Sequence, residues 1–147
     1  MQRAHLSLKG LAMSTANLSP ALASAYVALG GGIGALARYQ LGRTVALVVS
    51  PASGFPWATL TVNVLGSLAM GALMGWFARG GQESEALRLA IGVGLLGGFT
   101  TFSAFSAELV TLTYRGQLLM AFGYGTVSIM AGMAALVIGL VCVQSIP

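Results

Sequence analysis

The sequence predicts an all-α integral membrane protein with four transmembrane helices per chain, the third of them broken. Three observations predict it. Of the 147 residues, 56% are hydrophobic and 7% are charged, whereas soluble domains carry about 25% charged residues. Such a chain cannot cover a water-facing surface and must meet lipid. Four apolar runs reach the roughly 20 residues that a helix needs to cross a bilayer. The third run reads Gly92-Val93-Gly94-Leu95-Leu96-Gly97-Gly98 and then Phe99-Thr100-Thr101-Phe102-Ser103, a composition that opposes a continuous helix. Barrel strands are excluded, because they alternate apolar and polar residues over only about 10 positions.

Taken in order, residues 1–20 form a polar tail carrying Arg3, His5 and Lys9. Its apolar patch, Leu6 to Met13, is too short and interrupted for a signal-peptide core, and Met13 is an alternative start. Residues 21–147 form the four-helix transmembrane domain. Its spans are expected at about Ala21 to Ser50, Trp57 to Ala78, Ala86 to Thr113 and Leu118 to Val143. The first and third exceed the required length, so they tilt or break. The first connector, Ser50 to Trp57, is a turn by its Pro and Gly content, and Trp57 stands where interfacial aromatics belong. The second, Arg79 to Glu85, is polar, and the third, Tyr114 to Gln117, is tight. Short connectors imply antiparallel neighbours in a compact bundle.

Charge gives little direction for insertion. Arg3, Lys9, Arg79 and Arg88 lie on one side; Arg43 and Arg115 lie on the other, with Arg38 about a turn inside. Starting at Met13 leaves only Arg79 and Arg88 on the first side. Near-even counts leave the positive-inside rule without a clear instruction. Two outcomes stay open: a weakly biased single orientation, or insertion both ways with two opposed copies pairing as an antiparallel dimer. Glycine pairs four apart, at Gly30 and Gly34, Gly71 and Gly75, and Gly94 and Gly98, let helices approach closely within one bundle or between two.

Polar groups inside the membrane must face protein, water or a substrate. Asn63, Gly66 and Ser67 share one face of the second helix. Asn63 either joins helices through its amide or presents donors to a solute. A break near Gly97 to Thr101 frees carbonyls that suit a hard cation such as sodium. Phe102 and Phe105 share a face. Packing accounts for them, and so does a narrow anion path, because aromatic ring edges are positive. Glu108 follows on that side; ionised, it cannot hold an anion, so it gates, accepts hydrogen bonds or sits protonated. Tyr124 and Ser128 stand one turn apart on the fourth helix, with Gly132 continuing the row. The interior set of Asn63, Thr100, Thr101, Ser103, Tyr124 and Ser128 is neutral and rich in donors, which suits a small dehydrated anion.

Other classes find little support. The single Cys142 forms no internal disulfide and no multi-cysteine metal site. His5 lies in the tail, so no catalytic triad can be assembled, and no phosphate loop is present. The chain is not expected to be an enzyme. Its net charge of +4 is scattered, unlike a nucleic-acid-binding patch. A small four-helix multidrug transporter is the alternative reading. It calls for a carboxylate in the first helix, and Ala21 to Ser50 contains none.

Three motifs in order then resemble the Fluc (CrcB-like) fluoride channels. Gly31-Gly32-Ile33-Gly34-Ala35-Leu36-Ala37-Arg38-Tyr39 is similar to their first-helix GGxxGAxxRY. Thr59-Leu60-Thr61-Val62-Asn63-Val64-Leu65-Gly66-Ser67 is similar to their second-helix TLxVNxxGS. Gly97-Gly98-Phe99-Thr100-Thr101-Phe102-Ser103-Ala104-Phe105 is similar to their GGxTTFSTF break, with Ala104 where Thr is common. The resemblance covers about Ala25 to Val141. It implies an antiparallel, dual-topology homodimer with two fluoride pores, multi-pass in the cell's inner (plasma) membrane, exporting fluoride passively. It implies a structural sodium at the dimer interface on the backbone carbonyls of Gly97 and Thr100. It places Asn63, Phe102 and Phe105 along the pores, with Thr101 and Ser103 near them. Tyr124 and Ser128 become a polar track, Glu108 a residue affecting conduction, and Arg38 a vestibule charge.

Overall fold

The computed structural model describes residues 18–49, 54–79 and 84–146. The tail through residue 17, with the basic residues Arg3 and Lys9, and residues 50–53 and 80–83 of the first two connectors lie outside them. Four helical spans are long and apolar enough to cross a membrane. The first is α1 (Pro20–Val48). Ser19 caps it by accepting the Leu22 N–H at 3.3 Å, and Pro20 occupies a first-turn position where its missing N–H costs nothing. The second is α2 (Trp57–Ala78). The fourth is α6 (Leu118–Gln144).

The third span is composite. Ser84 caps a single turn, α3 (Glu85–Leu87), which passes into a π-helical stretch, Arg88–Leu96, and a last α turn, α4 (Gly97–Phe99). The wider winding is visible where the Gly97 N–H reaches the Gly92 carbonyl five residues back. Thr100 and Thr101 then adopt extended dihedrals, with ψ of 161° and 118°, before α5 (Phe102–Tyr114) begins. The chain leaves α5 through Gly116 at φ 74°, with Gln117 N–H on Leu112 O at 3.0 Å and Gly116 N–H on Thr113 O at 2.9 Å. This is a Schellman turn, and the left-handed position is why glycine stands there. It sends α6 back antiparallel to α5.

The extended pair divides the third span between different neighbours. Its π-helical half lies along α1, whereas α5 lies on α6 and α2. The α1 seam is backbone against backbone. A Cβ at Gly34 would collide with the Leu95 carbonyl, and one at Gly94 would come within 3.0 Å of Gly30 Cα. The glycine pairs of α1 and the third span therefore mesh within one chain. Gly71 and Gly75 do the same for α2, which packs in parallel on α6. Arg79 joins the ends of that pair, donating from Nη1 to the Val143 carbonyl at 2.8 Å, a cation placed where both helix dipoles are negative.

A small core of Leu60, Phe105, Leu112, Ala121 and Tyr124 sits toward the end where α2 and α6 begin. Phe55, from the first connector, closes over it with its ring 5.4 Å from that of Tyr124, at an angle of 83°. All four spans leave most of their surface uncovered by their own chain, as lipid-facing helices do.

Candidate functional site

The site grows from the two extended residues. Extended backbone at membrane depth carries polar groups that lipid cannot satisfy, and Asn63 takes up those of Thr101. Its Oδ1 accepts the Thr101 N–H at 2.8 Å, and its Nδ2 donates to the Thr101 carbonyl at 3.0 Å. The amide thus replaces the backbone partner that Thr101 lacks. Thr101 in turn caps α5, its Oγ1 accepting the Ala104 N–H at 3.2 Å and lying 3.3 Å from Ser103 Oγ. Thr100 ties back to the end of the π-helical stretch, its N–H and Oγ1 both donating to the Leu96 carbonyl, at 3.0 and 2.9 Å.

These bonds release two carbonyls. In a continuous helix the Thr101 N–H would meet the Gly97 carbonyl, and the Ala104 N–H would meet that of Thr100. Both donors point elsewhere. Gly97 and Thr100 therefore carry neutral, hard oxygen atoms with no helical partner, a donor set suited to an alkali cation. Among the described residues no group of three or more His, Cys, Asp or Glu side chains is gathered to hold a metal ion.

One turn nearer the first connector, α2 contributes Thr59. Its hydroxyl donates to Glu108 Oε1 at 2.7 Å, and the Tyr124 hydroxyl donates to Glu108 Oε2 at 2.6 Å. A carboxylate in the membrane is stable only with such donors. Of the roles open to Glu108, the geometry provides acceptance of hydrogen bonds. Tyr124 is fully buried. Ser128 Oγ, one turn on, is also buried and has no hydrogen-bond partner among the described residues.

The two phenylalanines diverge. Phe105 is 9% exposed and packs 5.2 Å from the Tyr124 ring, whereas Phe102 is 80% exposed on the chain's outer face. Their rings still touch, with centroids 5.8 Å apart at 45°. Between α2, the extended pair and α6 lies a cleft of about 290 Å³ lined by Asn63, Gly66, Ser67, Met70, Thr100, Thr101, Phe102 and Leu136. Arg38 is half-buried on α1, one turn beyond Gly34, and joins neither the cleft nor the Glu108 group. Thr59 and Phe55 were not among the expected site residues. Thr59 had a signal, since it stands one turn before Asn63 on the same α2 face; Phe55 had none.

The arrangement is an uncharged cleft beside a hydrogen-bonded carboxylate, within an apolar bundle. The profile of the family described as CrcB-like protein, Camphor Resistance (CrcB), matches residues 25–140. A fluoride-specific ion channel of Novosphingobium aromaticivorans is 52% identical over 118 residues, covering 80% of this chain and 93% of that protein. One from Sphingopyxis alaskensis is 46% identical, covering 82% and 94%. One from Erythrobacter litoralis is 50% identical, covering 87% and 95%.

Proposed function

The chain belongs to the CrcB-like family, and from that membership we propose that it is a fluoride-selective channel that exports the ion passively across the cell membrane. The observation that carries the reading is the cleft at the third-span interruption. It gathers neutral donors at membrane depth, where a dehydrated anion needs hydrogen bonds and a carboxylate would repel it. Glu108 lies outside this cleft and is held by Thr59 and Tyr124. The reading is of conduction and not catalysis. Hydrogen fluoride crosses membranes neutral and dissociates inside; a channel lets the trapped anion leave down the inside-negative potential.

The assembly belongs to the same proposal. Two chains in opposite orientations form the channel, and this places the exposed Phe102 ring against a partner instead of lipid. Ring edges of Phe102 and Phe105 then face the ion. The interruption is a functional break, whose Gly97 and Thr100 carbonyls from both chains hold one sodium. Carbonyls without a carboxylate favour a monovalent ion over calcium, and the ion's contribution is to hold the two breaks together. Arg38 raises the local concentration of anions at the entrance. A small multidrug transporter is disfavoured, because α1 contains no acidic residue to bind a cation.

The test is growth. Bacteria lacking their own fluoride exporter should regain growth in fluoride when they express this chain. The double variant Phe102→Ile, Phe105→Ile should not restore it. Absence of rescue by a membrane-inserted wild-type chain would sink the proposal.

A further inference from the structure

The parallel pair α2 and α6 keeps one register along its length. Ser67 Oγ lies 3.5 Å from where a Cβ on Gly132 would stand, Gly71 abuts Leu136, and Gly75 abuts Leu140. Stepping back by turns brings Asn63 level with Ser128 and Thr59 level with Tyr124. The last pairing agrees with the carboxylate those two hydroxyls share. The two helices thus present three polar levels in succession, and each level uses its donors differently. At the first, both hydroxyls are committed to Glu108. At the second, Asn63 is committed to Thr101, while Ser128 Oγ is not. At the third, α6 contributes only glycine, and Ser67 supplies the hydroxyl.

Ser67, like Thr61 and Thr126, differs from most helical hydroxyls, and of these three it alone lines the cleft. Ser24, Thr44, Thr100, Ser106, Thr111, Thr113 and Ser145 each donate to the carbonyl four residues back. That is how a helical hydroxyl in an apolar setting satisfies itself. Ser67 forms no such bond among the described residues and opens into the cleft beside Asn63, Thr101 and Phe102. A donor left unpaired at membrane depth is unfavourable unless protein, water or a solute takes it, and the cleft is where the proposed ion passes.

We propose that Ser67 is an anion-contacting residue, the donor at the mid-membrane end of the row, placed on α2 because Gly132 leaves α6 without one. This rests on the fluoride-channel reading and adds to it a residue that sets the rate. An ion leaving Ser128 meets the Ser67 hydroxyl about one helical pitch, roughly 5 Å, further on.

The experiment moves the hydroxyl across the cleft. Purified wild-type, Ser67→Ala and Ser67→Cys proteins are placed in fluoride-loaded liposomes. The cysteine variant keeps the size of serine but is a weak donor. Both variants should release fluoride about tenfold or more slowly, the effect of losing one hydrogen bond to an ion. In the Ser67→Ala background, Gly132→Ser should restore most of the rate, since a side chain at 132 meets only ordinary contact. Gly132→Ala should restore none. Packing alone would respond equally to both. Wild-type rates in Ser67→Ala and Ser67→Cys, or equal behaviour of the two Gly132 variants, would overturn the proposal. Failure of the wild-type protein to release fluoride would instead overturn the channel reading.

Discussion

Removing the Asn63 side chain should cost stability first and conduction as a consequence. Asn63→Ala deletes two bonds at once, at 2.8 and 3.0 Å, and both fall on the same residue, Thr101. The Thr101 N–H then has no partner. Its carbonyl loses the Nδ2 donor as well, so both backbone groups of Thr101 are stranded. A stranded buried group costs about 1–3 kcal/mol, so the gross loss is about 2–6 kcal/mol. In a membrane the unfolded chain also finds partners, and single polar contacts average nearer 0.6 kcal/mol. The net expectation is a loss of roughly 1–3 kcal/mol. Asn63→Asp should also be destabilised, since an ionised carboxylate keeps the acceptor but sets a negative oxygen against the Thr101 carbonyl. The assay is equilibrium unfolding of purified protein in mixed detergent and sodium dodecyl sulfate, followed by circular dichroism. An Asn63→Ala protein that unfolds with wild-type free energy would refute the view that this amide secures the interrupted backbone.

Further outcomes follow from other contacts. Thr59→Val and Tyr124→Phe each remove one hydroxyl from the Glu108 carboxylate, and each should lower stability by roughly 1–3 kcal/mol. In a double-mutant cycle their effects should couple through Glu108 by about 0.5 kcal/mol or more; strict additivity would argue against the shared carboxylate. Gly34→Ala should abolish folded protein, because its Cβ would collide with the Leu95 carbonyl, whereas Gly32→Ala, with nothing within 4 Å, should be neutral or slightly stabilising; yields on size-exclusion chromatography separate the two. A cysteine introduced at Gln82 in a Cys142→Ala background should label in roughly half the molecules from either side of the membrane, and labelling from one side alone would rule out dual topology. Replacing sodium with a bulky organic cation should weaken the proposed antiparallel dimer by mass action, read as a shift toward monomer at fixed protein concentration.

The spans were legible because apolar length is written directly in composition. Trp57–Ala78 begins and ends where the sequence placed it, and no end of the other three is more than two residues from its expected place. Asn63, Thr101, Glu108 and Tyr124 were legible as chemistry, since each is a polar group in an apolar run. Their partners were not. Asn63 meets the backbone of Thr101 across 38 residues, and Thr59 meets Glu108 across 49. No local periodicity reports such a pairing. The π-helical winding of Arg88–Leu96 was equally hidden. It is a choice of hydrogen-bond register by a glycine-rich backbone pressed against α1, and glycine composition opposes a regular helix without saying what replaces it. Phe105 and Phe102 looked alike in sequence because they share a helical face. Phe105 is held by Tyr124, while Phe102 stands a turn nearer the interruption, beyond the chain's own core.

Selective passive passage of fluoride can be read out by paired release of two anions from liposomes. Vesicles holding the purified wild-type protein are loaded with potassium fluoride or potassium chloride, diluted into medium lacking the anion, and opened to potassium with an ionophore. Ion-selective electrodes then record each anion's initial rate. Fluoride should empty at a rate proportional to the amount of protein, while chloride stays at the level of protein-free vesicles. Equal release of the two anions would contradict fluoride selectivity, and retention of both would contradict the channel itself.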